Sequence, residues 1–237
     1  MNIGITERGD PVFDFNWLPW VQEKHFPAIL ITKNPMLLWR FLARTQHSQT
    51  FNIIVHCTIT GYGGTIIEPG VPNWQEALEG CYYLSKYLGL DRIVLRVDPI
   101  IPTEKGTDLA ISVVEAAKTK ISENLRVRIS FIDYYDHVKA RFKAIDASLP
   151  WDSFHAPLDI RKAVWKKLGK PEICGEPDFE CTGCVSEIDC RILNVDPIDI
   201  SKGQRRFCAC LMNKKELLTS KTRCAHMCVY CYYGKHD

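Results

Sequence analysis

The sequence predicts an α/β fold, a closed or partial (β/α) barrel of the TIM type, with an open doubly wound sheet as the alternative. Three observations predict it. Short runs of Ile, Val and Leu alternate with amphipathic segments through the first 170 residues, an order that implies parallel strands joined by right-handed crossovers. Polar residues cluster just after each apolar run, where such folds gather their chemistry. Of 11 cysteines only Cys57 and Cys81 precede residue 170, so the chain divides into a body, 1–170, and a cysteine-rich segment, 171–237, expected to complete the active site.

In chain order, residues 2–6 read as a short strand and residues 28–32 as a second. Residues 52–60, 92–97 and 127–132 follow, each short and rich in Ile, Val and Leu. Helical segments lie between them at 35–44, 74–88 and 107–120. In the middle one Ala77, Leu78, Cys81, Leu84, Ser85 and Leu88 share a face, Pro72-Asn73 caps the start and Gly89 follows the end. A further amphipathic helix is expected over 150–170, with Ile160, Val164, Trp165 and Leu168 on its apolar side and Pro171 as its stop. Beyond it no periodicity is sustained, so ligated metal rather than a core is expected to order the tail.

The 237 residues, 46% hydrophobic and 24% charged, are enough for one sizeable core with a small appendage and too apolar for disorder. No run of 18 apolar residues exists, which excludes a membrane-spanning helix. The net charge of +2 argues against a general nucleic-acid coat and leaves room for a local basic site. Met1-Asn2-Ile3-Gly4-Ile5 does not resemble an export signal, and an odd number of cysteines does not suit a disulfide framework. Both lead us to expect a reducing, cytoplasmic setting with metal-ligand cysteines.

The polar residues after the strands are the candidate active-site rim. They are Arg8 and Asp10 after the first strand, Lys33 after the second, Tyr62 and Glu68 after the third, Arg96 and Asp98 closing the fourth, and Asp133 after the fifth. Taken singly, each reads as an ordinary turn or cap residue, and their recurrence on five strands is what marks the group. Gly61-Tyr62-Gly63-Gly64 lacks the Walker lysine and the G-x-G-x-x-G spacing, and reads as a rim loop.

Cys224-Ala225-His226-Met227-Cys228-Val229-Tyr230-Cys231 is the sharpest signal. Three thiolates at C-x3-C-x2-C spacing can hold three irons of a [4Fe-4S] cluster and leave the fourth open for the amino and carboxylate groups of S-adenosylmethionine. This spacing, with an aromatic residue before the last cysteine, is the signature of the radical SAM superfamily. Tyr230 would then pack near the cofactor's adenine, and a ferredoxin or flavodoxin would donate electrons. The zinc alternative needs a fourth ligand such as His226 or His236. A second group, Cys174, Cys181, Cys184, Cys190, Cys208 and Cys210, suggests an auxiliary iron–sulfur cluster or a structural zinc. Residues 202–237 carry eight Lys or Arg against two acids, which can offset thiolate-bound metal or meet a phosphate backbone. The substrate is therefore open between a small molecule and something derived from nucleic acid. The rival reading is a metal-stabilised binding module without catalysis.

Several blocks resemble, in order, a prokaryotic family catalogued as domain of unknown function 1848. They are Thr6 to Pro11, Thr32 to Pro35, Thr58 to Gly63, Ile67 to Pro69, Arg96 to Ile100 and Ser130 to Tyr134. Gln204-Arg205 with Cys208 and Cys210, then Cys224 to Tyr232, continue the match. The resemblance implies Cys174, Cys184, Cys208 and Cys210 as ligands of the second centre, with Cys181 and Cys190 as additions. Tyr233-Gly234 stands where the family has Ala-Asn. A more distant similarity is to spore photoproduct lyase, a radical SAM enzyme that acts on DNA and carries its cysteine loop on the first barrel strand. Reconciling the two implies a circular permutation, with Cys224 to Cys231 across the barrel mouth near Arg8, Arg96 and Asp98.

Overall fold

Alternation along the strands sets the architecture in the computed structural model, which describes residues 1–198, 207–218 and 224–232. The strands are β1 (Ile3–Ile5), β2 (Ala28–Thr32), β3 (Ile53–Thr58), β4 (Ile93–Ile100), β5 (Arg126–Phe131), β6 (Glu172–Ile173) and β7 (Lys214–Glu216). All pair in parallel in the order β6-β5-β4-β3-β2-β1-β7, and the sheet curls into a half-barrel. The helices are α1 (Leu18–Gln22), α2 (Pro35–Arg44), α3 (Trp74–Leu88), α4 (Glu104–Lys120), α5 (Asp136–Ala144), α6 (Leu158–Lys167) and α7 (Glu187–Leu193).

One set of alternate strand residues, including Leu30, Val55, Leu95 and Ile129, packs against Leu38, Leu42, Leu84, Val113 and Ala117 of α2, α3 and α4. Full burial of each Val, Leu or Ile side chain among them stabilises by about 1.5–3 kcal/mol. The helices start where the sequence places caps: the Asn34 side chain accepts from Leu37 N at 3.0 Å and that of Asn73 from Glu76 N at 2.9 Å. Gly89, at φ 97°, ends α3 in a conformation that favours glycine.

The opposite set, Ile3, Ile5, Ile29, Ile54 and Val94, lines the concave face and packs against Cys174, Val185, Leu193, Cys210 and Leu211. The described part of the chain between β6 and β7 thus packs into the hollow of the half-barrel. Its cysteines share a core with the sheet rather than building one of their own. Both edge strands come from beyond residue 170, so the sheet runs through the boundary expected there.

Other expectations shift by a few residues. The third strand ends at Thr58, not residue 60, and the fourth continues to Ile100. The helix expected over 150–170 spans only Leu158–Lys167, because Pro157 starts it and Trp151 is drawn into a separate rim cluster. β7 has no apolar residue to announce it. Its sequence Lys-Lys-Glu becomes a strand by pairing Ile3↔Lys214, Gly4↔Lys215 and Ile5↔Glu216. The last strand among the described residues therefore lies beside the first.

Candidate active site

The cysteine loop 224–231 lies across the carboxyl ends of the strands. Three neighbours anchor it. After β1, Asp10 receives His226 Nε2 at 2.7 Å while its carboxylate also takes the Thr32 hydroxyl at 2.8 Å and Lys33 N at 2.7 Å. After β3, Gly70 N donates to the His226 carbonyl at 3.1 Å, and Val229 N donates to the Ile67 carbonyl at 2.9 Å. From α5, Arg141 Nη1 reaches the Cys231 carbonyl at 2.6 Å. Cys228, Val229 and Tyr230 pack with Tyr62, Ile101, Ile132, Tyr134 and Trp151, which follow β3, β4 and β5.

Beneath the loop is a buried ionic group. Lys33 Nζ lies 2.8 Å from Glu68 Oε1 and 2.6 Å from Tyr230 Oη. Glu68 also accepts from Thr60 Oγ1 at 2.6 Å and from the Tyr230 hydroxyl, and it is 1% exposed. Burial works against the charge of Lys33, but Glu68 and Cys228 outweigh it and hold the amine above its ordinary range. Burial pushes the Cys228 thiol up to about 12; Lys33 opposes this, while Glu68, Cys231 and Cys224 add to it. Burial likewise raises Cys224, with Asp10 and Cys231 contributing. Cys224 and Cys231 are thus near enough to act on Cys228, and a cation bound among them would ease their repulsion as thiolates. Both nitrogens of His226 are engaged, with Nδ1 3.0 Å from the Gly70 carbonyl. His226 is therefore not placed as the fourth zinc ligand considered from sequence, and His236 lies outside the described residues.

A second thiol group sits within the hollow. Cys174 and Cys184 sulfurs are 3.7 Å apart, and Cys184 N donates to Cys210 Sγ at 3.1 Å. A hydrogen bond with Cys210 brings the Cys208 thiol down to about 7. The four cysteines implied by the family resemblance are therefore brought together. Cys181 is turned away, bonded to the backbone of Glu176 at 3.2 and 3.1 Å. Cys190 is buried in α7, and burial and Asp189 rather than another thiol raise it. Glu7, which sequence reasoning passed over, offers an oxygen that with the sulfurs of Cys184 and Cys210 falls within a 4.8 Å set. Lys214 pairs with Glu7.

The remaining rim candidates take different places. Arg96 pairs with Asp98, which also receives the Ser130 hydroxyl. Asp133 lies 3.3 Å from His155. Tyr62 is buried in the rim cluster, where burial raises its hydroxyl. Arg8 is exposed, while Glu7, one residue before it, is half-buried beside Cys184 and Cys210. Glu176, also missed, accepts from Phe131 N at 2.7 Å and Arg161 Nη1 at 3.1 Å, and burial lifts it to about 7. His56, Thr58, Arg128 and Ser130 face the hollow as well; polar residues spaced by two within apolar strands were the signal available for them.

A family model described as "Domain of unknown function (DUF1848)" matches residues 20–233 of this chain. No curated protein and no solved structure matches it.

Proposed function

The chain belongs to the DUF1848 family, and from the geometry of its site we propose that it is a radical SAM enzyme acting on a substrate held in the half-barrel. One observation carries the reading: a loop with three cysteines at C-x3-C-x2-C spacing lies across the carboxyl ends of parallel strands, over a buried Lys33–Glu68–Tyr230 group. Cys224, Cys228 and Cys231 would hold the cluster. When bound, a four-iron cluster with one open iron takes the amino and carboxylate groups of S-adenosylmethionine and supplies the electron that cleaves its sulfonium.

The chain's own residues have distinct tasks. The His226–Asp10 contact fixes the loop to the ends of β1 and β2. Lys33 places a positive charge beside Cys228, favouring its thiolate, and Glu68 with Tyr230 fixes where that charge sits. The rim cluster around Tyr62, Ile132 and Trp151 excludes water from one side of the mouth. Because β7 pairs with β1 and the cysteine loop follows β7 in the chain, we read the barrel as circularly permuted, with β7 as its first strand. A ferredoxin- or flavodoxin-type donor would supply electrons.

The convergence of Cys174, Cys184, Cys208 and Cys210 favours a second metal, iron–sulfur or zinc. If zinc were the only metal bound, the chain would be a metal-stabilised binding module. Anaerobic reconstitution, iron and sulfide analysis, and a reductant-dependent assay for 5′-deoxyadenosine test the reading. Cleavage of S-adenosylmethionine should be abolished by Cys228→Ala, since two thiolates do not retain a site-differentiated cluster. Colourless protein with stoichiometric zinc, or undiminished cleavage by the variant, would reject it.

A further inference from the structure

Unpaired polar atoms are concentrated on the concave face. Among the described residues, buried atoms without a partner include both ring nitrogens of His56, Thr58 Oγ1, Arg126 Nη2 and Arg128 Nη1. His56 is 0% exposed, Arg128 1% and Thr58 4%. All four residues occupy inward positions of β3 or β5, alternating with residues of the helix-side core. Register sets Thr58 beside Arg96 and Arg96 beside Arg128, with His56 one step deeper beside Val94.

Native interiors rarely leave such groups unpaired, and here they share one surface. The arginine atoms can only donate, and the threonine hydroxyl and neutral imidazole can each donate. Burial pushes the His56 ring far toward its neutral form, and Arg128, Arg96 and Arg126 push it the same way with no carboxylate opposing them. Glu172 and Asp189 pair with Arg126 and Arg128, and Asp98 pairs with Arg96, so what this surface offers is a row of spare donors beyond those ion pairs. Arg96 is close enough to act on both Lys33 of the mouth and Cys174 of the second thiol group. Above the row, the side chains of Asp98 (25% exposed) and Lys33 (17% exposed) mark the partly open side.

We propose that His56, Thr58 and Arg128, together with Arg96, bind an oxyanion group of the substrate, a carboxylate or a phosphate, and hold it beneath the cysteine loop. The assignment to substrate rests on reading the mouth as the active site. An anionic end anchored on β3–β5 would leave the rest of the molecule extending toward Cys224–Cys231, where a radical acts on a nearby atom.

Thermal unfolding of the reconstituted full chain tests this, at fixed ionic strength in chloride, inorganic phosphate or acetate. One of the two oxyanions should raise the melting temperature with the logarithm of its concentration above Kd, by about 4 °C at ten times its Kd, and identifies the group. His56→Leu and Thr58→Val should keep or raise the melting temperature in chloride, since each replaces an unpaired polar atom with an apolar one, and should lose the oxyanion response. A wild-type protein indifferent to both oxyanions, or variants that keep the full response, would overturn the proposal. So would variants that lose iron along with the response, because the donors would then serve the second metal centre. Assaying S-adenosylmethionine cleavage in parallel separates the two claims: an oxyanion response without cleavage fails the reading of the mouth, and cleavage without the response fails this one.

Discussion

Lys33 shows how the rim works at the residue scale. Its amine is kept charged inside the protein by Glu68, and the same cation lies against Tyr230 of the cysteine loop, 5.1 Å from its ring centre. The sequence placed Lys33 and Glu68 at separate rim positions and Tyr230 in the cysteine loop beside the cofactor's adenine; only proximity makes them one group. The nearest miss is by a single residue, since Glu7 lies beside the second thiol group and Arg8, one residue on, is exposed. Glu176 gives a prediction at this scale. Burial raises it from 4.5 to about 7, with Asp133 adding and Phe131 N and Arg161 opposing. In the unfolded chain it ionises at the lower value. Between the two values the unfolded state binds fewer protons, so this residue's contribution is fully present below pH 4.5 and is lost as pH rises through 7. The loss is at most about 3 kcal/mol. Glu176→Gln should flatten the decline in stability between roughly pH 5 and 7 in denaturant titrations; parallel wild-type and variant curves would rule this out.

The loops after the strands do the positioning at the element scale. The segment after β3 approaches the cysteine loop so closely that a side chain at Gly70 would have its Cβ 2.0 Å from the Ala225 carbonyl oxygen and 2.9 Å from His226 Cα. Gly70→Ala must therefore displace residues 225–226, while the main core lies elsewhere. The expected result is a reconstituted protein with reduced iron, a folded body and a melting temperature lowered by only about 2–6 °C, a cost of about 1–2 kcal/mol. Full iron occupancy in the variant would show that the close approach is not needed. The helix caps at Asn34 and Asn73 were legible because capping is local chemistry. β7 was not, because a Lys-Lys-Glu strand exists only through the backbone of β1.

For the whole molecule, the pairing of β7 with β1 is the decisive feature. Ile3 N donates to the Asn213 carbonyl at 2.6 Å, and Asn213 Nδ2 donates to the Met1 carbonyl at 2.9 Å. Leu217 and Leu218 complete the core next to Gly4 and Gly9. Deleting residues 212–237 would strip β1 of its outer neighbour and leave a bare edge. A chain shortened in this way should melt at least about 5 °C lower and self-associate, as measured by calorimetry and light scattering. A monomer with the wild-type melting temperature would mean that β7 contributes nothing to the sheet.

The sequence by itself determined the parallel α/β class, the five central strands, the main helices and the two thiol groups, because each rests on local pattern: apolar runs, helical spacing, caps and cysteine spacing. It did not determine the edge strands, the packing of the cysteine segment inside the half-barrel, or which rim residues touch. Those depend on register and on residues more than a hundred positions apart, such as Asp10 with His226 and Lys33 with Tyr230. Only the tertiary structure sets them, since a hydrogen bond across the mouth of a barrel forms once the sheet has curled and leaves no periodic trace in the chain.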